Sequence, residues 1–269
     1  MGSHGHAYYL NGEEATLDAM HVGVFGPLAL WGEGTFDTFR VSAGRILFCE
    51  PHQRRLSTAC RDLWGPQPVL ESLLRETWAT LTRDAGGYEH ARGRVLVAPR
   101  DAERAGFDVF AELAPTVPLR TSVYEQGLRA GYSTYAHPGL GLWGKNTSAL
   151  WSRMAADEAK RRKLDEVILC RDGIVVEAGW SAVIWSEDGS WRTPAPSLGG
   201  MPSTTLSALR AQGLEVDNVV ATRERLSYAD AVVLLSAVRL AIGLSSLEGR
   251  QFTDPDRAAR PLRELLLSA

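Results

Sequence analysis

The sequence predicts an α+β fold of two domains, because strands and helices follow one another without strict alternation and a proline-containing stretch separates them. Short β-rich runs with turn residues open the chain, two helical patterns follow, and a further helix with two hairpins comes after the proline-containing stretch. A covered parallel sheet requires regular strand-helix-strand alternation, which this order does not provide. The pattern therefore favours α+β domains.

The N-terminal part predicts short strands and two helices. Asn11-Gly12 and Ser42-Ala-Gly44 supply turns after the first two strands, and the Gly86-Gly87 pair ends the second helix. Leu56, Ala59, Cys60 and Leu63 recur at helical spacing. The predicted strands are 6–10, 35–41, 45–49 and 94–98, and the predicted helices begin at Pro51 and cover 69–81.

The C-terminal part predicts a helix over 147–162, strands over 166–170, 174–177 and 181–185, and a short helix over 204–212. For 229–235, periodicity leaves a strand and a buried helical turn equally open. Leu113-Ala-Pro-Thr-Val-Pro118 holds two prolines and little helical period, which is typical of a linker. We therefore predict a smaller N-terminal domain (1–114), a linker (115–121) and a larger C-terminal domain (122–269).

Composition excludes several classes of protein. Lys and Arg number 29 against 32 Asp and Glu, so the net charge of −3 argues against a broad nucleic-acid or polybasic membrane surface. Three widely spaced cysteines favour neither a disulfide framework nor a Cys-x-x-Cys zinc site, and the scattered histidines predict no metal. No apolar run is long enough to span a membrane. We expect a cytoplasmic protein that acts on a small molecule.

A glycine-rich string, Gly139-Leu-Gly-Leu-Trp-Gly144-Lys145-Asn146, satisfies two nucleotide-binding patterns. As a phosphate-binding P-loop it has Asn146 where a hydroxyl must reach Mg²⁺. As a dinucleotide fingerprint it follows Pro138, which cannot donate to the strand that should precede it. A nucleotide-binding loop therefore stays an alternative from a different functional class.

Several segments, taken in order, form a larger pattern. They are Trp31-Gly-Glu-Gly-Thr-Phe-Asp-Thr-Phe-Arg-Val41, Pro51-His-Gln-Arg-Arg-Leu56, Lys145, Asp165-Glu-Val-Ile-Leu169 with Gly173-Ile-Val-Val-Glu177, Arg192-Thr-Pro194 and Ala229-Asp230. Their order and spacing resemble the class IV, or fold type IV, pyridoxal-phosphate (PLP) enzymes. These include D-amino-acid and branched-chain aminotransferases and 4-amino-4-deoxychorismate lyase. The resemblance implies that family's two-domain fold, PLP as cofactor and a homodimer.

The resemblance implies two central roles. Lys145 corresponds to the Schiff-base lysine, whose amine must bond to the cofactor aldehyde and move protons at the substrate carbon. Glu177 corresponds to the carboxylate beside the pyridinium nitrogen, which keeps that nitrogen protonated by charge pairing.

The cofactor phosphate needs an arginine, hydroxyls and backbone amides at a helix start. Arg55 matches the phosphate arginine of the family's His-x-x-Arg-Leu. Thr204 and Thr205 fall where the family has Leu-Pro-Gly-Ile-Thr-Arg, and Ser236 falls where the lyases often have Thr-Asn-Ser. The usual Gly and Arg of the first segment are absent here, which keeps open a family member with altered or lost PLP use.

Three positions favour the lyase within the family. Leu150 stands where branched-chain aminotransferases usually carry a tyrosine, and Thr38 stands where lyases tend to have a threonine. Arg104 resembles an arginine that binds a substrate carboxylate by bidentate pairing. The leading prediction is aminodeoxychorismate lyase, with Lys145 and Thr38 as catalytic residues. The alternative is transamination of D-amino or branched-chain amino acids.

Overall fold

The structure is a computed structural model that describes residues 5–139 and 145–268. Contacts divide the described chain into two compact units. The first comprises residues up to Pro118 together with 145–148, and the second comprises Leu119 to 139 together with 149–268. Lys145, which the sequence prediction places in the C-terminal domain, belongs to the first of these units.

The first unit contains an antiparallel sheet and three helices among the described residues. The strands are β1 (Ala7–Leu10), β2 (Glu13–Ala15), β3 (Thr35–Ser42), β4 (Arg45–Ile46), β5 (His90–Pro99) and β6 (Phe107–Pro115), in the sheet order β2-β1-β6-β5-β3-β4. The helices are α1 (Pro27–Trp31), α2 (Cys49–Trp64) and α3 (Pro68–Ala85), with a 3-10 turn at Leu17–Ala19.

Alternation along β3 separates a buried face from a half-buried face. Every second residue from Thr35 to Val41 is buried, and the residues between them are half-buried. On the buried face, Phe39 packs against Trp78 of α3 with ring centroids 5.2 Å apart. Helix α3 buries one side through apolar residues spaced three and four apart, which is why it covers the sheet.

The second unit contains a larger mixed sheet. Its strands are β7 (Leu128–Ala136), β8 (Glu166–Arg171), β9 (Ile174–Ala178), β10 (Ala182–Glu187), β11 (Ser190–Pro194), β12 (Asp217–Val219), β13 (Ala231–Ser236), β14 (Leu240–Leu247) and β15 (Arg250–Gln251). The order is β12-β11-β10-β13-β14-β7-β8-β9, and β15 pairs with β14. The helices are α4 (Thr121–Gln126), α5 (Leu150–Arg161), α6 (Thr204–Ala211), α7 (Arg223–Leu226) and α8 (Pro255–Ser268), with a 3-10 turn at Pro196–Leu198.

Helix α5 precedes β8, which runs parallel to β7. Its buried face carries Ala155 and Ala159, and these small side chains pack against Val167 and Leu169 of β8. The helix therefore lies close on the sheet. In the part of the chain that the structure describes, no helix combines the length and the apolar character needed to cross a bilayer.

Three predicted elements need correction. The strand predicted over 45–49 ends at Ile46, because Cys49 already begins α2. The stretch Leu113–Pro118 is not wholly a linker, since β6 continues to Pro115 and pairs along its length with β5. Helix α5 begins at Leu150 and not at 147, since Thr147 bonds to Gly34 in the first unit. The ambiguous segment 229–235 contains strand β13.

Gly93 generates a test of the first core. It pairs with Phe39 across β5 and β3, and a Cβ at Gly93 would lie 2.0 Å from an atom of the Phe39 ring. Because Phe39 is fully buried, we expect Gly93→Ala to lower the free energy of unfolding by about 1–3 kcal/mol. The measurement is urea unfolding followed by circular dichroism.

The matched control is Gly23→Ala, where the nearest atom to an added Cβ is 3.8 Å away. This control is expected to change the free energy of unfolding by less than about 0.5 kcal/mol. Equal unfolding midpoints for the two variants would contradict the packing argument.

Candidate active site

Lys145 is held at the start of strand β3 in the first unit. Its carbonyl oxygen accepts hydrogen bonds from the amide of Phe36 (2.8 Å) and from the hydroxyl of Thr35 (2.9 Å). Its Nζ lies 4.9 Å from the centroid of the Phe36 ring, within the range of a cation–π contact. The start of β3 therefore fixes the backbone of Lys145 and also contacts its amine.

Gly32 and Gly34, which precede β3, leave room for the residues that follow Lys145. Thr147 donates from its amide to the carbonyl of Gly34 at 2.9 Å, and its hydroxyl donates to the carbonyl of Gly32. Gly32 has φ +62°, and a Cβ there would lie 2.7 Å from the hydroxyl of Ser148. A side chain at Gly32 would therefore push the lysine segment away from the strand.

Thr38 lies on the same half-buried face of β3 as Phe36, two residues further along the strand. Side chains at this spacing point to the same side of a sheet, roughly 7 Å apart. Thr38, the predicted catalytic threonine, therefore lies on the same face of β3 as Phe36, whose ring contacts the Lys145 amine.

Arg55 is tied to the opposite face of β3. The carboxylate of Asp37, which is fully buried, accepts from Nε (2.9 Å) and Nη2 (2.6 Å) of Arg55 and from Nδ1 of His52 (2.8 Å). Burial opposes the charge of Asp37, but the Arg55 guanidinium and the His52 hydrogen bond hold the pKa of Asp37 well below its usual range. The predicted phosphate arginine is thus oriented by a permanent carboxylate.

His52 completes this network as a neutral group. Burial lowers the pKa of His52, and the charges of Arg55 and Lys145 lower it further, whereas the hydrogen bond that His52 donates to Asp37 raises it. Because Asp37 only accepts, Nδ1 carries the proton and Nε2 is a bare acceptor. Nε2 is buried and has no hydrogen-bond partner among residues 5–139 and 145–268.

Arg104 lies at the approach to β3. Its Nε donates to Glu33 at 2.7 Å, and the indole of Trp64 donates to the same oxygen at 3.0 Å. The Arg104 side chain is 49% exposed, so solvent reaches it. Glu33 stands between Gly32 and Gly34, which places the predicted substrate arginine beside the segment that anchors Lys145.

Glu177 belongs to the second unit, on strand β9. Its buried carboxylate accepts from Nε2 of His137 at 2.8 Å and from the amide of Met201 at 2.9 Å. Both donors are N–H groups, and they stabilise the negative charge of the carboxylate. Each oxygen keeps acceptor capacity for one further donor.

Helix α6 begins three residues after Met201. Ser203 caps it by accepting from the amide of Leu206 at 3.1 Å, and Thr204 and Thr205 form the first turn with buried side chains. The first amides of a helix lack acceptors within the helix and attract anions. Thr204 and Thr205 therefore lie at a helix start, and their role toward the cofactor phosphate stays a prediction.

Ser236 ends β13 and lies in the turn to β14. Its hydroxyl accepts from the amide of Arg239 at 3.2 Å, so it already stabilises that turn. The glycine-rich string falls mostly outside the described residues, at 140–144, so the structure places only its two ends, Gly139 and Lys145–Asn146.

Sequence reasoning missed the scarcity of lysine. The whole chain contains three lysines, at 145, 160 and 163, and the last two are exposed at the end of α5. Only Lys145 is half-buried. A count of lysines in the sequence would have shown how few amines compete for the assigned role.

Comparison with known proteins identifies relatives over most of the chain. Residues 34–247 match the family described as amino-transferase class IV. A bifunctional aminodeoxychorismate lyase / D-amino acid transaminase from Mycobacterium tuberculosis is 28% identical over 83% of this chain and 84% of that protein. The D-alanine aminotransferase of Bacillus licheniformis is 25% identical over 82% of this chain and 81% of that enzyme.

Solved structures show the same fold. The PLP-bound form of a hypothetical aminotransferase from M. tuberculosis superposes with a TM-score of 0.83 at 23% identity, over 97% of this chain and 98% of that one. The branched-chain amino acid aminotransferase of Escherichia coli gives a TM-score of 0.83 at 21% identity, over 97% and 93%. The predicted α+β class and the fold type IV resemblance are confirmed.

The buried Asp37–Arg55 pair yields a stability prediction. Asp37→Asn removes the charge that pairs with Arg55. We expect this substitution to lower the free energy of unfolding by about 3–5 kcal/mol at neutral pH. Because the folded pKa of Asp37 is depressed, its contribution is complete above its unfolded pKa of about 3.9 and is lost as pH falls below that value. Urea unfolding from pH 7 to pH 3 measures the difference, which should shrink at the acid end.

The control is Glu50→Gln on α2, the helix that carries Arg55. Glu50 pairs with Arg54 at 3.4 Å on an exposed surface. Its effect should stay below about 1 kcal/mol at every pH. An Asp37→Asn protein as stable as Glu50→Gln at pH 7 would refute the role assigned to the buried pair.

Proposed function

This chain belongs to amino-transferase class IV, and on that premise we propose that it is a PLP-dependent aminodeoxychorismate lyase. It would convert 4-amino-4-deoxychorismate to 4-aminobenzoate and pyruvate. The observation that carries the assignment is the anchoring of Lys145 on β3, where its amine contacts the Phe36 ring. Thr38 lies on the same face of that strand as Phe36. We also infer a homodimer that acts in the cytoplasm, as the family resemblance implies.

The donor set of this chain fits PLP. Lys145 supplies an amine for the aldehyde, and Glu177 supplies a buried carboxylate whose oxygens can each accept one further hydrogen bond. Arg55 and the first turn of α6, with Thr204, Thr205 and the turn hydroxyl of Ser236, supply donors suited to a phosphate.

Bound PLP would supply an electron sink for the pair left behind when a proton leaves the substrate carbon. Lys145 would bond to the cofactor aldehyde carbon until the substrate amine displaces it, and the released lysine amine would then take that proton. Glu177 would hold the ring nitrogen in its protonated form by charge pairing. Arg55, oriented by Asp37, would bind the phosphate.

Support for the lyase comes from Thr38 and Arg104, the two residues that the family resemblance assigns to the reaction and to the substrate. Thr38 shares a strand face with Phe36, whose ring contacts the Lys145 amine, and would hold a proton for the reaction. Arg104 would pair with a carboxylate through donors other than the Nε that bonds to Glu33. The reaction needs no second substrate, because loss of one ring proton and cleavage of the C–O bond give 4-aminobenzoate and the enol of pyruvate. The M. tuberculosis relative named for both activities agrees with this assignment.

Transamination of D-amino or branched-chain amino acids is the second candidate. The same bifunctional relative and the D-alanine aminotransferase favour it. A family member with altered or lost PLP use is a third, because Met201–Leu206 carries a buried apolar Leu206 where the family usually has arginine.

The cofactor assignment is tested by reduction with borohydride in the presence of PLP, followed by peptide mass mapping. We expect the pyridoxyl group on Lys145, since the other two lysines are exposed on α5 and its end. Lys145→Ala should lose the label, whereas Lys160→Ala should keep it. Labelling of Lys160 or Lys163 alone, or no binding of PLP, would remove the assignment.

The reaction is tested with 4-amino-4-deoxychorismate and no amino acceptor. We expect 4-aminobenzoate and pyruvate in equal amounts, because a lyase leaves the cofactor unchanged after each turnover. Arg104→Ala should raise KM by about tenfold or more with kcat little changed, as expected for lost substrate binding.

Arg83→Ala, at an exposed arginine paired with its neighbour Asp84, is the control and should leave KM unchanged. Exchange of amino groups between D-alanine or a branched-chain amino acid and 2-oxoglutarate, without 4-aminobenzoate formation, would replace the lyase with the second candidate.

A further inference from the structure

We propose that His137 is a positioning residue that fixes the carboxylate of Glu177 while leaving its negative charge uncancelled. The inference rests on the proposed function, since it concerns how Glu177 meets the protonated ring nitrogen of PLP. It assigns a task to a histidine that neither the motif pattern nor the mechanism above uses.

The proton on His137 can be placed from its contacts. Nδ1 accepts a hydrogen bond from the amide of Gly139 at 3.0 Å, so Nδ1 carries no hydrogen. Nε2 must then carry the hydrogen of the neutral ring, and it lies 2.8 Å from Oε1 of Glu177. Glu177 therefore receives a neutral N–H donor.

The His137 ring cannot turn away from Glu177 without losing other contacts. Its side chain is fully buried, and it packs edge-on against Trp151 with ring centroids 4.9 Å apart. The amide of Gly139 holds the other side of the ring. These two contacts, together with burial of the ring, fix the direction of the Nε2–H bond.

The second donor to Glu177 is the amide of Met201, and the segment before Met201 packs against the segment that follows His137. Met201 donates to Oε2, and Gly199, two residues earlier, approaches Gly139 so closely that a Cβ at Gly199 would lie 2.7 Å from the Gly139 carbonyl. Both donor segments are therefore held together, and the two bonds fix the plane of the carboxylate.

The chemical consequence lies in the neutrality of both donors. An arginine or lysine in place of His137 would pair with the carboxylate and weaken its attraction for a second cation. A neutral imidazole and a backbone amide orient the carboxylate and leave its charge to act on the cofactor ring nitrogen.

The experiment is a double-mutant cycle with two readouts, the dissociation constant of PLP for the apoprotein and kcat of the loaded enzyme. His137→Phe keeps an aromatic ring against Trp151 and removes the N–H donor. We expect the PLP dissociation constant to rise and kcat to fall, each by about tenfold or more, with KM changed less than about twofold.

In the Glu177→Gln background, His137→Phe should change neither quantity by more than about twofold, because His137 acts through Glu177. Ser133→Ala is the matched control, since it deletes a buried 2.6 Å hydrogen bond to a different carboxylate of the same unit, Glu158. This variant should bind PLP as the wild type does.

His137→Gln provides a second variant if His137→Phe does not fold, because its amide N–H can still reach Glu177. Its PLP dissociation constant should stay within about threefold of the wild type. Equal losses from His137→Phe in both backgrounds, or a tenfold loss in His137→Gln, would overturn the proposal. Wild-type protein that binds no PLP would instead overturn the proposed function.

Discussion

The hydrogen bond from the amide of Phe36 to the carbonyl of Lys145 is the interaction on which the chemistry of the first unit depends. Phe36 and Lys145 are far apart in the chain, and the elements between them include most of the first unit and the start of the second. The bond returns the lysine to β3, where its amine meets the Phe36 ring. The requirement for glycine at position 32 follows from it, because the residues after Lys145 pack directly on that backbone.

Local pattern predicted much of the fold. The strand over 35–41, the helical spacing in α2, the helix over 69–81 and the turn at Asn11-Gly12 are properties of neighbouring residues, and the structure contains each of them. The sequence predicts a linker at the end of β6, because Pro115 is typical of a linker and the pairing of Ala114 and Pro115 with β5 is not encoded locally. The membership of Lys145 in the first unit depends on contacts across the chain, which spacing cannot reveal.

The candidate site shows the same difference between what local sequence predicts and what depends on contacts between distant residues. The residue types and order led to Lys145, Arg55 and Glu177, but their partners did not follow from the sequence. Asp37 orients Arg55 from the buried face of β3, and Glu33 holds Arg104 at the approach to that strand. Glu177 differs from both, because its side-chain partner is a neutral histidine and not an opposite charge. An opposite charge fixes a group and cancels its field, whereas a neutral donor fixes the group alone.

The rarity of lysine has a practical meaning for spectroscopy. Of 29 basic Lys and Arg residues in the chain, three are lysines, and two of these are exposed at the end of one helix. Nitrogen enrichment confined to the lysine Nζ would give a nuclear magnetic resonance spectrum with three side-chain nitrogen signals. Two of them should report free, solvated amines, so the remaining signal can follow the bonding state of Lys145 directly in the intact protein.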